Sequence, residues 1–427
     1  MSVSSKRDGV SPSRAQRALR RPRALHAFAP VAVAMLLALT PACRNVSSGG
    51  SSGSPPDLFD RQALLRSYAL QVVMPAQHGF DADAAGLAST TASLADAVAA
   101  GTATDADWDA ARQAWRDAMR AWQMLEVLQV GPAGSRTLRV GGRSLRDEIY
   151  SWPAVNPCRV DQETASEDFA SGDFFTREAI NTRGLAAIEY LLFDPDTDNA
   201  CAAAVDINAQ GTWAALLANG QVPGLRARYA ARAAAEVSRR ADELVGAWDA
   251  SGEDFAGQLI GAGDADSIFD SAAVALDEVF RALYYVELQV KDRKLAPPAG
   301  LHPDCLASTC PQLQESRWAD ASKDHLLANL IAAQQAFLGG TTAGVGFDDF
   351  LHAVGASDLA VEMTTDLANA IAAVEAIPGT LTEALADDPT AVRDAYIAVK
   401  EFTDDLKSRF VTVLSLRIGQ EGAGDND

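Results

Sequence analysis

A lone carboxylate in an apolar helix is where this sequence first asks for chemistry. In Gly184-Leu-Ala-Ala-Ile-Glu-Tyr-Leu-Leu-Phe193, the helical neighbours of Glu189 at three and four residues are Leu185, Ala186, Leu192 and Phe193. A carboxylate on such a face must be paired, protonated or turned toward a ligand, because burying a bare charge is costly. Two readings follow: an ion pair with Arg183 or an arginine of a neighbouring helix, or a functional site. Few other groups compete for that role. Beyond His26 near the start, the histidines are His78, His302, His325 and His352. None forms the His-Glu-x-x-His of a zinc-protease helix, and the paired Glu-x-x-His set of a diiron bundle is absent. Asp349 and His352 share a helical face, which serves a surface or capping role as readily as a ligand. Asp194-Pro-Asp-Thr-Asp198 alternates oxygens like a calcium loop, but Asn199 stands where the turn glycine belongs and Val205 where the closing glutamate belongs. No Ser-His-Asp constellation and no phosphate-cradling glycine loop can be assembled.

The elements that must position Glu189 are helices. Apolar residues recur at Trp108, Ala111, Trp115, Met119, Trp122 and Leu125, one face of a helix over 105–130 that Gly131-Pro132 ends. That helical spacing makes the tryptophans core residues. Residues 64–100 read as one long helix interrupted near Pro75 and Gly79. A loop-rich stretch over 133–181 precedes the Glu189 helix, which Asp194-Pro195 closes. The pattern then starts again with helices over 222–250, 267–295 (stripe Leu276, Val279, Leu283, Val286, Val290), 320–338, 360–376 and 390–417. The expected fold is all-α, in two related helical-bundle halves at about 61–220 and 221–418.

The first 42 residues read as a targeting segment. A basic region (Arg14, Arg17, Arg20, Arg21, Arg23) precedes the apolar run Phe28 to Leu39, too short to span a membrane. Leu39-Thr-Pro-Ala-Cys43 places a small residue before a cysteine, so Cys43 is the expected lipid attachment point, on a Ser/Gly tether over 43–60. Four cysteines then remain, an even number in an exported chain, which points to two disulfides. Spacing favours Cys305 with Cys310 and Cys158 with Cys201, out of three possible pairings. The formal charge is −21, and removing seven Lys/Arg and one Asp with residues 1–42 takes it to about −27. Nucleic acid is excluded as a partner by that charge. The acidic tail, 419–427, is expected to fray.

Taken in order, several pieces of the chain resemble the imelysin family, also called M75 peptidase-like. They are Tyr68 to Phe80, Ala114 to Trp122 with Gly131-Pro132, Ser151-Trp-Pro153, Gly184 to Phe193, Glu315 to Ser322, Ala328-Asn-Leu330 and Gly346-Phe-Asp-Asp349. The resemblance covers about residues 62–418. It implies an imelysin-like fold, export to the bacterial envelope and a link to iron uptake. The family signature is Gly-x-His-x-x-Glu, whose His and Glu share a helical face and could hold a metal such as iron or zinc. Here Gly184 and Glu189 match, but Ala186 stands at the histidine, and a methyl group is no ligand.

The sequence therefore reads as an exported, lipid-anchored binding protein of the outer membrane, facing the periplasm or the cell surface and serving iron or other metal-linked uptake. It is read as non-catalytic. The ligand residues the resemblance implies are Glu189, Trp152, Glu315, Ser322 and His325, placed between the halves. Its expected partners are envelope proteins or a small metal-linked ligand. An M75-type metallopeptidase and a non-binding envelope scaffold are the alternatives.

Overall fold

The computed structural model describes residues 59–341 and 344–418; Cys43, the segment before it, nearly all of the tether and the acidic tail lie outside them. Every regular element among the described residues is helical, as the 3.6-residue stripes require. Eight helices organise the molecule: α1 (Met74–Ala99), α2 (Asp105–Glu126), α3 (Gly184–Phe193), α4 (Val222–Trp248), α5 (Ala272–Leu283), α6 (Ser322–Leu338), α7 (Ser357–Glu375) and α8 (Pro389–Asp405). Two bundles result. In the first, α1 packs on α2 and α4, and α3 lies between α2 and α4. In the second, α7 packs on α6 and α8, with the segment Val286–Leu295 against α6 and α8. Contacts between α2 and α6 join the bundles. Helix α4, which follows the division expected near residue 220, keeps its partners in the first bundle.

Local chemistry explains where these helices begin and turn. Asp107 starts α2 by accepting the Thr104 amide at 2.7 Å, one arm of a capping box. The break expected near Gly79 is absent. Helix α1 runs through Gly79, and the irregularity comes earlier, as a π-helical segment at Tyr68–Val73. Pro75 explains the shift: it sits in the first turn of α1, where its missing amide costs least, and the wider π turn absorbs its ring. A longer π segment, Val286–Leu295, continues from α5, and a third covers Leu406–Phe410.

Both favoured cysteine pairs are disulfides, Cys158–Cys201 and Cys305–Cys310, separated by 43 and 5 residues. The second closes a short loop, so it removes little entropy from the unfolded chain. Replacing Cys305 and Cys310 together by serine is expected to cost about 2 kcal/mol, read as a shift in the urea midpoint at unchanged slope. A shift above about twice that would show that this disulfide does more than close its loop.

The acidic turn Asp194–Asp198 has an internal occupant. The Arg226 guanidinium donates to the Asp196 and Asp198 carbonyls at 2.8 and 3.3 Å and to Asp194 Oδ2 at 3.2 Å. A cation from the chain itself thus satisfies the oxygens that suggested calcium.

Candidate functional site

Helix α3 is held at both ends, and those anchors aim Glu189. Gly184 opens it at φ 75°, where a side chain would be strained, and a Cβ there would lie 2.8 Å from the Ile149 carbonyl. Only glycine lets the helix start dock on the turn at Tyr150. The Ala186 amide donates to the Tyr150 carbonyl at 3.2 Å, and the Ser151 hydroxyl donates to the Arg183 carbonyl at 2.6 Å. These bonds fix the Trp152-Pro153 loop, whose peptide is cis, beside Ala186. At the other end Arg112 donates to the Leu192 carbonyl at 2.8 Å, closing the helix.

Glu189 is 3% exposed, and its Oε1 accepts the Trp318 and Ala319 amides, both at 3.0 Å. Ser316 and Asp320 flank these amides in left-handed conformations, at φ 47° and 51°, and bend the chain into an anion-facing concavity. Neither expected role of an arginine partner is filled: Arg183 pairs with Glu148 instead, at 2.6 Å. Burial pushes the Glu189 carboxyl up to about 8. The two amides and Ser316 pull the other way, and the negative Glu315 adds to the rise. At neutral pH the group is a neutral acid, with a proton to donate. It lies on a cleft of about 270 Å³ walled by Trp152, Pro153, Ala186 and Trp318. Arg317, over the Trp318 ring at 4.3 Å, with Gln312 and Gln314, supplies further polar groups.

Behind the cleft lies a buried polar network centred on Glu315. Its Oε1 accepts Gln123 at 2.9 Å and the Tyr150 hydroxyl, and Lys294 Nζ is 3.1 Å away. Lys294, 1% exposed, also donates to Gln123 at 2.6 Å and Asn329 at 2.7 Å. Glu315 Oε2 faces His325 Nδ1 at 3.5 Å, and Ser322 donates to the Glu315 carbonyl. Burial alone would raise the Glu315 carboxyl, but Lys294, His325 and Tyr150 outweigh it and hold it at about 2. Glu315 is thus a carboxylate and Glu189 an acid, two electrostatically coupled groups kept in opposite states.

The expected site residues therefore divide. Trp152, Ala186 and Glu189 line the cleft together, whereas Glu315, Ser322 and His325 form the layer behind it. Lys294, Gln123, Tyr150 and Trp318 were not foreseen. Lys294 did leave a signal: it stands four residues after Val290 on the apolar stripe of its segment, where a cation needs a partner. Of the other candidates, Asp349 Oδ2 accepts the Gly346 amide at 3.1 Å as a helix cap, and His352 Nδ1 meets Ser357 at 2.9 Å. His78, half-exposed, lies 3.3 Å from Asp249. Trp115 and Trp122 are core residues with no exposure.

Metal ligation does not fit these residues. Position 186 has no nitrogen, Glu189 Oε1 is taken by two amides, and among the described residues no group of three or more His, Cys, Asp or Glu could hold a metal ion. Nor is any helix among them long and apolar enough to cross a membrane.

Comparison with known proteins bears on the same region. The profile of the family described as Imelysin (Peptidase_M75) matches residues 81–407, which include Glu189, Lys294 and Glu315. Among solved structures, the chain is similar to one described as an iron-regulated protein A precursor from Parabacteroides distasonis, with a TM-score of 0.64 at 16% identity, over 86% of this chain and 96% of that one. It is also similar to an imelysin-like protein from Psychrobacter arcticum, with a TM-score of 0.62 at 17% identity, over 84% and 96%. At these identities the likeness establishes the fold. No curated protein matches the chain.

Proposed function

This chain belongs to the imelysin family, and from that premise we propose that it is an exported, lipid-anchored binding protein that takes a small polar ligand in the Glu189 cleft and does not cleave peptides. The observation that carries the proposal is the pairing of Ala186 with a buried, protonated Glu189 between two tryptophans. Such a site offers a hydrogen-bond donor and aromatic walls, the ordinary equipment of a small-molecule pocket. It lacks the imidazole that a Lewis-acid centre would draw on. The iron-regulated description of one structural neighbour supports placing the ligand in iron or other metal-linked uptake, with the metal carried inside the ligand and not held as a bare ion. Cys43 with its basic and apolar leader, and two disulfides, support an oxidising envelope compartment and an outer-membrane anchor.

Metal analysis of the purified protein, with a peptide-cleavage assay with and without chelator, tests the reading. The expected result is substoichiometric metal and no chelator-sensitive cleavage. Stoichiometric zinc with cleavage that a chelator abolishes would establish the metallopeptidase alternative. A scaffold role would follow if a screen of iron chelates and small polar ligands gave no binding that Glu189→Ala weakens.

A further inference from the structure

Helix α6 turns Asn329 and His325 inward, and its opposite face forms a groove of about 510 Å³ with α2 and α1, independent of the Glu189 cleft. Two contacts fix the geometry. The Trp115 and His325 rings lie 6.2 Å apart, and eight residues further along α2 Gln123 bonds Asn329 at 2.9 Å, so α2 and α6 run parallel. To the groove α2 gives Asp117, Ala121 and Met124, and α6 gives Asp324, Leu327 and Ile331. The spacing on each helix puts its residues on one face. Because the helices are parallel, both acids lie at one end and Met124 and Ile331 at the other. Asp83 of α1 joins the acid end, where partial burial and then Asp117 raise its carboxyl above the ordinary range. Arg120 is the single cation against three carboxylates among the described residues of the lining. The only hydrogen bond to these carboxylates among the described residues is from Gln113 to Asp117, at 3.0 Å.

We propose that this groove receives one basic amphipathic helix of a partner protein, its Lys or Arg residues against Asp83, Asp117 and Asp324 and its apolar stripe over Ala121, Met124, Leu327 and Ile331. Two parallel helices with an apolar floor form the seat that helix-in-groove recognition uses. Charge complementarity selects the occupant. A second copy of a chain at −21, or an anionic lipid surface, would bring like charge to the acid end. A basic helix relieves the repulsion that now raises Asp83.

The test uses the full chain and a fluorescent synthetic helix of about five turns, with Leu on one face and Lys at one end. A scrambled peptide of the same composition, which cannot form an apolar stripe, is the control. Anisotropy is expected to show binding of the patterned helix that weakens at raised salt. The scrambled peptide should bind at least about tenfold more weakly. The double variant Asp117→Lys/Asp324→Lys and the single variant Leu327→Asp should each lower affinity by about tenfold or more, with thermal unfolding unchanged. If Leu327→Asp does not fold, the surface-charge variant carries the test. Equal binding of both peptides, or full affinity in the charge variant, would overturn the proposal. So would a dimer of this chain, or binding to anionic vesicles, that the same substitutions abolish, since the groove would then belong to another occupant.

Discussion

Replacing Lys294 by methionine is expected to destabilise the fold by about 3–5 kcal/mol, because it leaves a buried carboxylate without its counter-charge. Methionine keeps most of the side chain's shape, so the loss is electrostatic. Glu315, itself 1% exposed, would keep only neutral donors beside it, and the oxygens of Gln123 and Asn329 would lose the ammonium they now accept from. The double variant Lys294→Met/Glu315→Gln should recover most of the loss, since no charge then remains to be compensated. Urea unfolding of the two single variants, the double variant and the native chain closes a double-mutant cycle. A cost below about 1 kcal/mol for Lys294→Met, or a double variant no better than the single, would show that the network is not held by this pair. The network also spans both bundles: Gln123 comes from α2, and Lys294 and Asn329 from the second bundle. Losing the ammonium should therefore loosen the junction against which the cleft is built.

Glu189→Gln should change how stability depends on pH more than its value at any one pH. In the folded chain the carboxyl titrates at about 8, against an ordinary value of 4.5. The folded state therefore holds a proton that the unfolded state has released, and stability falls as pH rises between those values. Below about 4.5 the contribution is fully present; above about 8 it is gone. Over three pH units, from 5 to 8, the native chain should lose about 4 kcal/mol relative to the glutamine variant, at 1.36 kcal/mol per unit. Glutamine keeps a carbonyl for the Trp318 and Ala319 amides and an N–H in place of the acid proton, so the fold itself is spared. Denaturant titrations of both proteins at pH 5 and pH 8 measure the difference, and parallel pH dependences would mean that Glu189 is ionised in the fold. Glu315 acts in the opposite sense, its contribution being lost as pH falls from 4.5 toward 2.

The helices were legible because a bundle helix writes its buried face as a 3.6-residue stripe and ends at Gly or Pro. Glu189 stood out for the same reason, as an acid among apolar neighbours. Three things were not legible. A π turn changes the hydrogen-bond register without changing residue types, so the irregularity at Tyr68–Val73 was looked for at Gly79. The donors to Glu189 are backbone amides, set by left-handed Ser316 and Asp320, and backbone donors leave no mark in composition. Lys294 passed as the solvated end of a helix, although its place on the stripe marked it as buried. Glu315, Ser322 and His325 were found through family resemblance, and periodicity alone would not have singled them out.

The π segment Val286–Leu295 also bears on how this core can change over evolutionary time. Bonding from residue i to i+5 accommodates one residue more per turn than the α-helix does. Removing a single residue there would let the stretch relax to α geometry and swing everything after it by about 100°. Lys294 would leave the reach of Glu315, though no side chain in the network had mutated. A one-codon deletion is thus as damaging to this interior as losing the lysine, and the two lesions call for different repairs: an insertion for one, a substitution for the other.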